Sequence, residues 1–295
     1  MEYLHPEQAF LGLDAADAVA VGQARAVIVP FGLEATVSYG SGTSRGPAAI
    51  LEASHQVELF DDEFWREVVH DYGVATLQAE PIATPVAAAL DQLEGTVSAL
   101  LDDGRFPLVL GGEHSLSAGA IRPFVDRFPD LAVLHFDAHA DLRDGYGGEH
   151  FSHAAALRRC LDLPISTLVS VGIRNISAGE IPFLEANRDR ITIHWARDRK
   201  HWDPQAMVAP LRGRPVYLTF DLDGFDASLM AATGTPEPGG FFWDDAMDII
   251  RSAAGVATFV GADVVELAPR KELHACDFLA AKLCYRILNY ALHRR

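Results

Sequence analysis

The feature that most constrains this chain is a set of short, almost uninterrupted apolar runs rich in β-branched residues. They are AVIVPF (26–31), PLVLGG (107–112), LAVLHFD (131–137), TLVSVG (167–172), ITIHW (191–195), VYLTFDLD (216–223) and TFVGADVVEL (258–267). A strand with one wet face alternates apolar and polar residues, whereas a continuous apolar run is buried on both faces. Between the runs lie stretches with helical spacing, such as PVAAALDQLEGTVSALLDDG (85–104) and WDDAMDIIRSAAG (243–255). Strand–helix alternation with such strands predicts an α/β fold, a three-layer α/β/α sandwich with a mainly parallel central sheet and right-handed crossovers. No Pro/Gly/Ser-rich linker and no fixed-period repeat interrupts the pattern, so residues 1–295 read as one domain.

In open parallel sheets, ligands bind beyond the carboxyl ends of the strands. Here those ends carry the acids and histidines. PLVLGG runs into Glu113 and His114, LAVLHFD into Asp137, His139 and Asp141, VYLTFDLD into Asp221 and Asp223, and TFVGADVVEL into Glu266. Asp137, His139 and Asp141 fall at every second position, as do Asp221 and Asp223, so in extended chain each set points one way. Carboxylates held that close repel one another unless something positive lies between them. A metal centre is the simplest solution, with His114, Asp137, His139, Asp141, Asp221 and Asp223 as ligands. Four carboxylates and two imidazoles exceed what one tetrahedral zinc takes, and mixed oxygen and nitrogen donors suit manganese and its neighbours. A pair of ions would use the whole set. The competing reading is a group of turn caps and loop acids, with Asp221 or Asp223 each capping a turn.

The segments GGEHS (111–115), FDAHADLR (136–143) and TFDLDGFDAS…TGTPEPGG (219–240) resemble the three signature stretches of the ureohydrolases, the arginase and agmatinase family. VVELAP (264–269) looks closest to the agmatinase and aminopropylagmatinase branch. The likeness runs from SYGSGTSRGP (38–47) to the final helix. It implies an arginase-like fold and two Mn2+ per chain. One ion would be held by His114, Asp137, Asp141 and Asp221, the other by His139, Asp137, Asp221 and Asp223. It further implies that Asp141 accepts a proton, that His153 relays protons to the leaving amine, and that Glu266 grips the substrate guanidinium. It also implies a homo-oligomer, a trimer or hexamer. Three departures stand out. Ala227 follows Asp226 where the family has Pro, Ala231-Ala232 replace Pro-Gly, and Ala154 follows His153 where agmatinases commonly have Gly. They bear on loop shape and substrate choice, not on the ligands.

The formal net charge of −17 argues against nucleic acid as a partner, since that needs a basic surface, and is compatible with a small cationic substrate. No apolar run approaches the ~20 residues of a membrane span. The start has no signal-peptide pattern, and the three cysteines match no zinc or redox spacing, so a cytoplasmic location is expected. Within LRDGYGGEHFS (142–152), Asp144 and Glu149 are expected to meet a distal amine, favouring agmatine or aminopropylagmatine over arginine. Arg143, Arg158 and Arg159 could instead bind a carboxylate, as in guanidinobutyrate. His135 is expected in the core beside the ligands. His70, His194 and His201 are expected at the surface or in packing without carboxylate partners, and Glu266 could alternatively pair with Arg174 or Arg270. The remaining alternatives are a single-zinc, deacetylase-like hydrolase and a catalytically silent homologue.

Overall fold

A computed structural model describes residues 1–293; the last two residues of the expected domain lie outside the described residues. The strands, in chain order, are β1 (Ala26–Phe31), β2 (Phe60–Asp61), β3 (Arg66–Glu67), β4 (Val74–Thr76), β5 (Phe106–Gly111), β6 (Ala132–Phe136), β7 (Thr167–Ile173), β8 (Ile191–Trp195), β9 (Pro215–Asp221) and β10 (Thr258–Val265). β2 and β3 form a small antiparallel pair. The other eight make one sheet in the order β4-β1-β5-β10-β9-β6-β7-β8, with every neighbouring pair parallel.

Successive side chains of these strands enter two separate apolar cores, one on each face. In β1, Ala26 and Ile28 join one core, whereas Val27, Val29 and Phe31 join the other. Helices Gly46–Ser54, Trp243–Val256 and His274–Leu292 cover the first face; Val86–Asp102, Ser117–Arg127 and Ala156–Leu161 cover the second. This is the three-layer sandwich expected from the doubly buried strands. Burying each large side chain contributes roughly 1.5–3 kcal/mol, which is why such runs cannot tolerate a wet face.

The strand order reverses at the centre of the sheet. The chain builds outward from β6 to β8, then returns to insert β9 and β10 between β6 and β5. The four central strands are therefore β5, β10, β9 and β6, the same four whose ends carry the candidate ligands. A platform of aromatic rings lies beneath those ends. Phe136 and Phe220 stack with centroids 4.7 Å apart, and Phe241 meets both edge-on. Gly172 and Gly224 pack so tightly against Phe241 that a Cβ would come within 2.6 and 2.8 Å of its ring. The same Cβ atoms would lie 3.0 and 2.9 Å from the backbone of Asp137, so only glycine fits between the platform and a candidate ligand.

Candidate active site

The two-residue alternation that suggested extended chain is produced by loops. β6 ends at Phe136, and Asp137–Asp141 form a connecting segment zipped to the end of β7. Ala140 N–H donates to Asn175 O, and Arg174 and Asn175 N–H donate to Ala138 O. Asp141 has a positive φ of 53°, and Glu266, just beyond β10, has 67°. L-residues rarely adopt that region, at a cost on the order of 1–3 kcal/mol, so the surrounding structure must impose it. Asp221 closes β9 and caps a turn, its Oδ1 accepting Asp223 N–H at 2.8 Å. Turn capping and a shared polar centre thus coexist at this pair. Arg174 staples the turn, its guanidinium donating to the carbonyls of Gly172, Asp223, Gly224, Phe225 and Glu237.

The six expected ligands converge. His114 Nδ1 lies 3.1 Å from Asp137 Oδ2, 3.2 Å from Asp141 Oδ2 and 3.4 Å from Asp221 Oδ2. His139 Nδ1 lies 3.0 Å from Asp223 Oδ2 and 3.5 Å from Asp137 Oδ1. Asp137 therefore turns one oxygen to each group. A backbone N–H fixes a carboxylate oxygen on Asp137, Asp221 and Asp223, from His139, Asp223 and Ala138 respectively.

The groups around the ligands orient them. Thr219 gives its hydroxyl proton to Asp263 at 2.6 Å, so it can only accept from His114 Nε2, 3.0 Å away. In the neutral ring that leaves the lone pair on His114 Nδ1, an atom that is buried and without a hydrogen-bond partner. An outer group that fixes the imidazole tautomer in this way is a usual companion of a metal ligand. His135, as expected, is buried beside the ligands, with Nε2 2.9 Å from Asp137 Oδ2 and Nδ1 3.0 Å from Ser170 Oγ.

The electrostatics call for positive charge. Burial would lower His114, but Asp137, Asp141 and Asp221 carry it well above its ordinary pKa. Burial likewise opposes the shift at His139, which Asp223 and Asp137 push up to about 12. Burial and the neighbouring carboxylates raise Asp141 and Asp221. Asp137 goes the other way: three histidines hold it well below the carboxylate range despite its burial. Two groups, His114–His135–Asp137 and Asp137–His139–Asp223, have donor atoms close enough to hold a metal ion. The full set of six donors fits a pair of first-row divalent ions.

His114, His139, Asp141, Asp221 and Asp223 floor a cavity of about 320 Å³, lined also by Tyr39, Tyr146, His153, Asn175, Ser177, Glu180 and Glu266. Burial, above all, lifts the Glu266 carboxyl to about 8; its Oε1 accepts His114 N–H at 2.7 Å. It does not pair with Arg174, whose two terminal guanidinium nitrogens donate to carbonyls.

Two expected substrate contacts are not brought to the cavity. Asp144 is exposed, and its carboxylate is engaged by Arg158 and Arg159, which hold it below its ordinary pKa. Glu149 turns back on its own loop to accept Phe151 N–H at 3.0 Å. Gly145, Gly147 and Gly148 in this loop all have positive φ. His70 also departs from expectation: it has a carboxylate partner, Glu67, 2.9 Å away.

A further buried carboxylate that lines the cavity is Glu180, which the strand-end reasoning missed. Its oxygens accept Leu142 N–H, Ser177 N–H and Ser177 Oγ–H. Applying the same rule to TLVSVG would have led from β7 to Arg174, Asn175 and Glu180.

Fold and site together define the class: the chain belongs to the arginase family, whose model matches residues 24–289. Within it, the chain is an agmatinase-like ureohydrolase, a hydrolase that releases urea. The N(1)-aminopropylagmatine ureohydrolase of Synechocystis sp. is 34% identical over 277 residues, 90% of this chain and 89% of that protein. The agmatinase of Bacillus anthracis is 37% identical over 256 residues, 84% of each chain. The crystal structure of the agmatine ureohydrolase of Thermoplasma volcanium superposes with a TM-score of 0.84 at 30% identity, covering 96% of this chain and 94% of that one. Among the described residues, no helix is long and apolar enough to cross a membrane.

Proposed function

We propose that this protein hydrolyses the guanidino group of agmatine or a related guanidino-amine, giving urea and an amine such as putrescine or a longer polyamine. The observation that carries the reading is His114 Nδ1, buried, without a hydrogen-bond partner and facing three carboxylates at 3.1–3.4 Å. His114, Asp137, Asp141 and Asp221 would hold one manganese ion, and His139, Asp137, Asp221 and Asp223 the second. When bound, such a pair supplies Lewis acidity and a water that loses its proton near neutral pH.

The chain's own residues do the rest. Glu266 is buried and raised to about 8, so it favours a cationic partner, and a guanidinium gives a carboxylate directed, charge-assisted hydrogen bonds. Asp141, raised by burial and by Asp137, is suited to take the proton of the attacking water. His153 lines the same cavity and carries a proton to the departing nitrogen. Among the described lining residues the one guanidinium is Arg143, which lies over the Tyr146 ring and 4.0 Å from buried Glu180. A substrate carboxylate would meet Glu180 there, whereas an amine suits it. This favours agmatine or aminopropylagmatine over arginine and guanidinobutyrate. Three free, buried cysteines accord with a cytoplasmic enzyme; we expect it to act as a homo-oligomer.

A urea-release panel with manganese tests the reading. Agmatine or aminopropylagmatine should exceed arginine in kcat/KM by more than about tenfold, a gap of ~1.4 kcal/mol. Faster hydrolysis of arginine or guanidinobutyrate would overturn the substrate assignment, and no urea from any of them would overturn the activity.

A further inference from the structure

Glu113 sits immediately before a metal ligand and is fully buried, yet no basic side chain is among its hydrogen-bond partners. Four donors surround it. Ala35 N–H and Thr36 N–H reach Oε2 at 2.6 Å each; Thr36 Oγ1 and Ser115 Oγ reach Oε1 at 2.8 and 2.6 Å. Four donors saturate an ionised carboxylate, which has acceptor positions and no proton to give. The loop that brings these donors is pressed onto the glycine before Glu113. A Cβ at Gly112 would lie 1.9 Å from Leu33 O, and Glu113 N–H donates to the same carbonyl at 2.7 Å.

Thr36 is the link to the cavity. A hydroxyl has one proton, and Thr36 gives its own to Glu113, so towards every other group it can only accept. It accepts His153 N–H at 2.9 Å, and it faces His153 Nδ1 at 3.1 Å. If Nδ1 were unprotonated, two lone pairs would confront each other there. Ser152 Oγ, the other group near Nδ1, stands at 3.4 Å, beyond the ordinary range for an O–H···N bond. Nδ1 therefore carries the proton, and the neutral ring keeps its lone pair on Nε2.

We propose that Thr36 and Glu113 are positioning residues for hydrolysis: through this chain of hydrogen bonds they set the His153 tautomer and the ring's orientation. The inference rests on the reading that His153 handles the proton at the departing nitrogen. The device mirrors Thr219–Asp263 behind His114, with the opposite result: there Nδ1 is left bare, here it is protonated. With Nδ1 committed to Thr36, a single nitrogen, Nε2, can pick up and deliver a proton in the cavity.

The test uses the full-length protein, 15N-labelled at histidine and loaded with diamagnetic magnesium, with His153→Gln identifying the His153 signals by difference. The wild type should show His153 with protonated Nδ1 and bare Nε2. Thr36→Val keeps the shape and both backbone N–H bonds to Glu113 but removes the hydroxyl, and should move population to the Nε2–H form. Thr36→Ser should restore the wild-type pattern. With manganese, Thr36→Val should lower kcat about tenfold or more with KM within about twofold, and Thr36→Ser should recover most of it. An Nε2–H ring in the wild type, or an unchanged ring in Thr36→Val, would overturn the proposal. Full urea release by His153→Gln would instead remove the proton role of His153, a separate failure that the spectra do not depend on.

Discussion

Replacing Asp137 by Asn tests whether one carboxylate serves two ions. Asp137 Oδ2 faces His114 and Oδ1 faces His139, so its loss should weaken both groups, whereas His139→Ala should weaken one. An ion present at about 100 times its Kd stabilises a folded protein by ~2.7 kcal/mol per site, so two independent sites give ~5.4 kcal/mol. For 295 residues at ~2.1 cal/mol/K each, the unfolding entropy is ~0.6 kcal/mol/K. Saturating manganese should thus raise the wild-type Tm by about 9 °C and that of His139→Ala by about 4 °C. For Asp137→Asn the rise should nearly vanish. The assay is differential scanning fluorimetry with and without manganese, each variant referred to its own metal-free Tm so that packing changes cancel. Elemental analysis alongside should give two ions per wild-type chain. An Asp137→Asn protein that kept half or more of the upshift, or a His139→Ala protein that lost all of it, would refute the shared-ligand geometry.

Asp144→Asn should change kcat/KM for agmatine by less than about twofold, because its carboxylate faces solvent and two arginines; steady-state urea release checks this. Glu63 predicts a pH effect. Partial burial would raise its carboxyl, but Arg251, Tyr290 and Arg286 hold it at about 2 against an ordinary 4.5. A depressed folded pKa means the stabilisation is complete above the unfolded value and is lost as pH falls from there through about 2. The Tm advantage of wild type over Glu63→Gln should accordingly shrink between about pH 5 and pH 2 in thermal melts. A gap that is constant or widens with acid would exclude the linkage.

Seven of the eight strands of the main sheet were legible: six because burial on both faces leaves a continuous apolar run, and the half-buried edge strand β8 by its β-branched residues. β4, with three residues, and the two-residue strands β2 and β3 are too short to leave one. The candidate ligands were legible for a related reason: a parallel sheet carries the residues at its strand ends to one edge, whether they sit on the strand itself or on the turn beyond it. Asp144 and Glu149 were misplaced because nearness in sequence to Asp141 does not set direction: the loop sends Arg143 and Tyr146 to the cavity, while Asp144 meets arginines and Glu149 a backbone N–H of its own loop. Asp263 could have been noticed as a carboxylate inside an apolar strand. The Thr36–Glu113–His153 chain could not, since its members come from three loops and Thr36 lies 117 positions from His153. Hydrogen-bond direction, not residue type, gives that chain its meaning.

The left-handed backbone at Asp141 and Glu266 bears on how this protein would respond to artificial selection. Glycine adopts that conformation without steric cost, and asparagine more readily than most residues. Glu266→Gly and Asp141→Asn would each ease the backbone and also remove a carboxyl group from a crowded, buried centre. A library screened for heat resistance without metal would enrich such changes and drift towards inert protein. Directed evolution of this scaffold therefore needs urea production in every round, because two of its residues with strained backbone are among those proposed to do the chemistry.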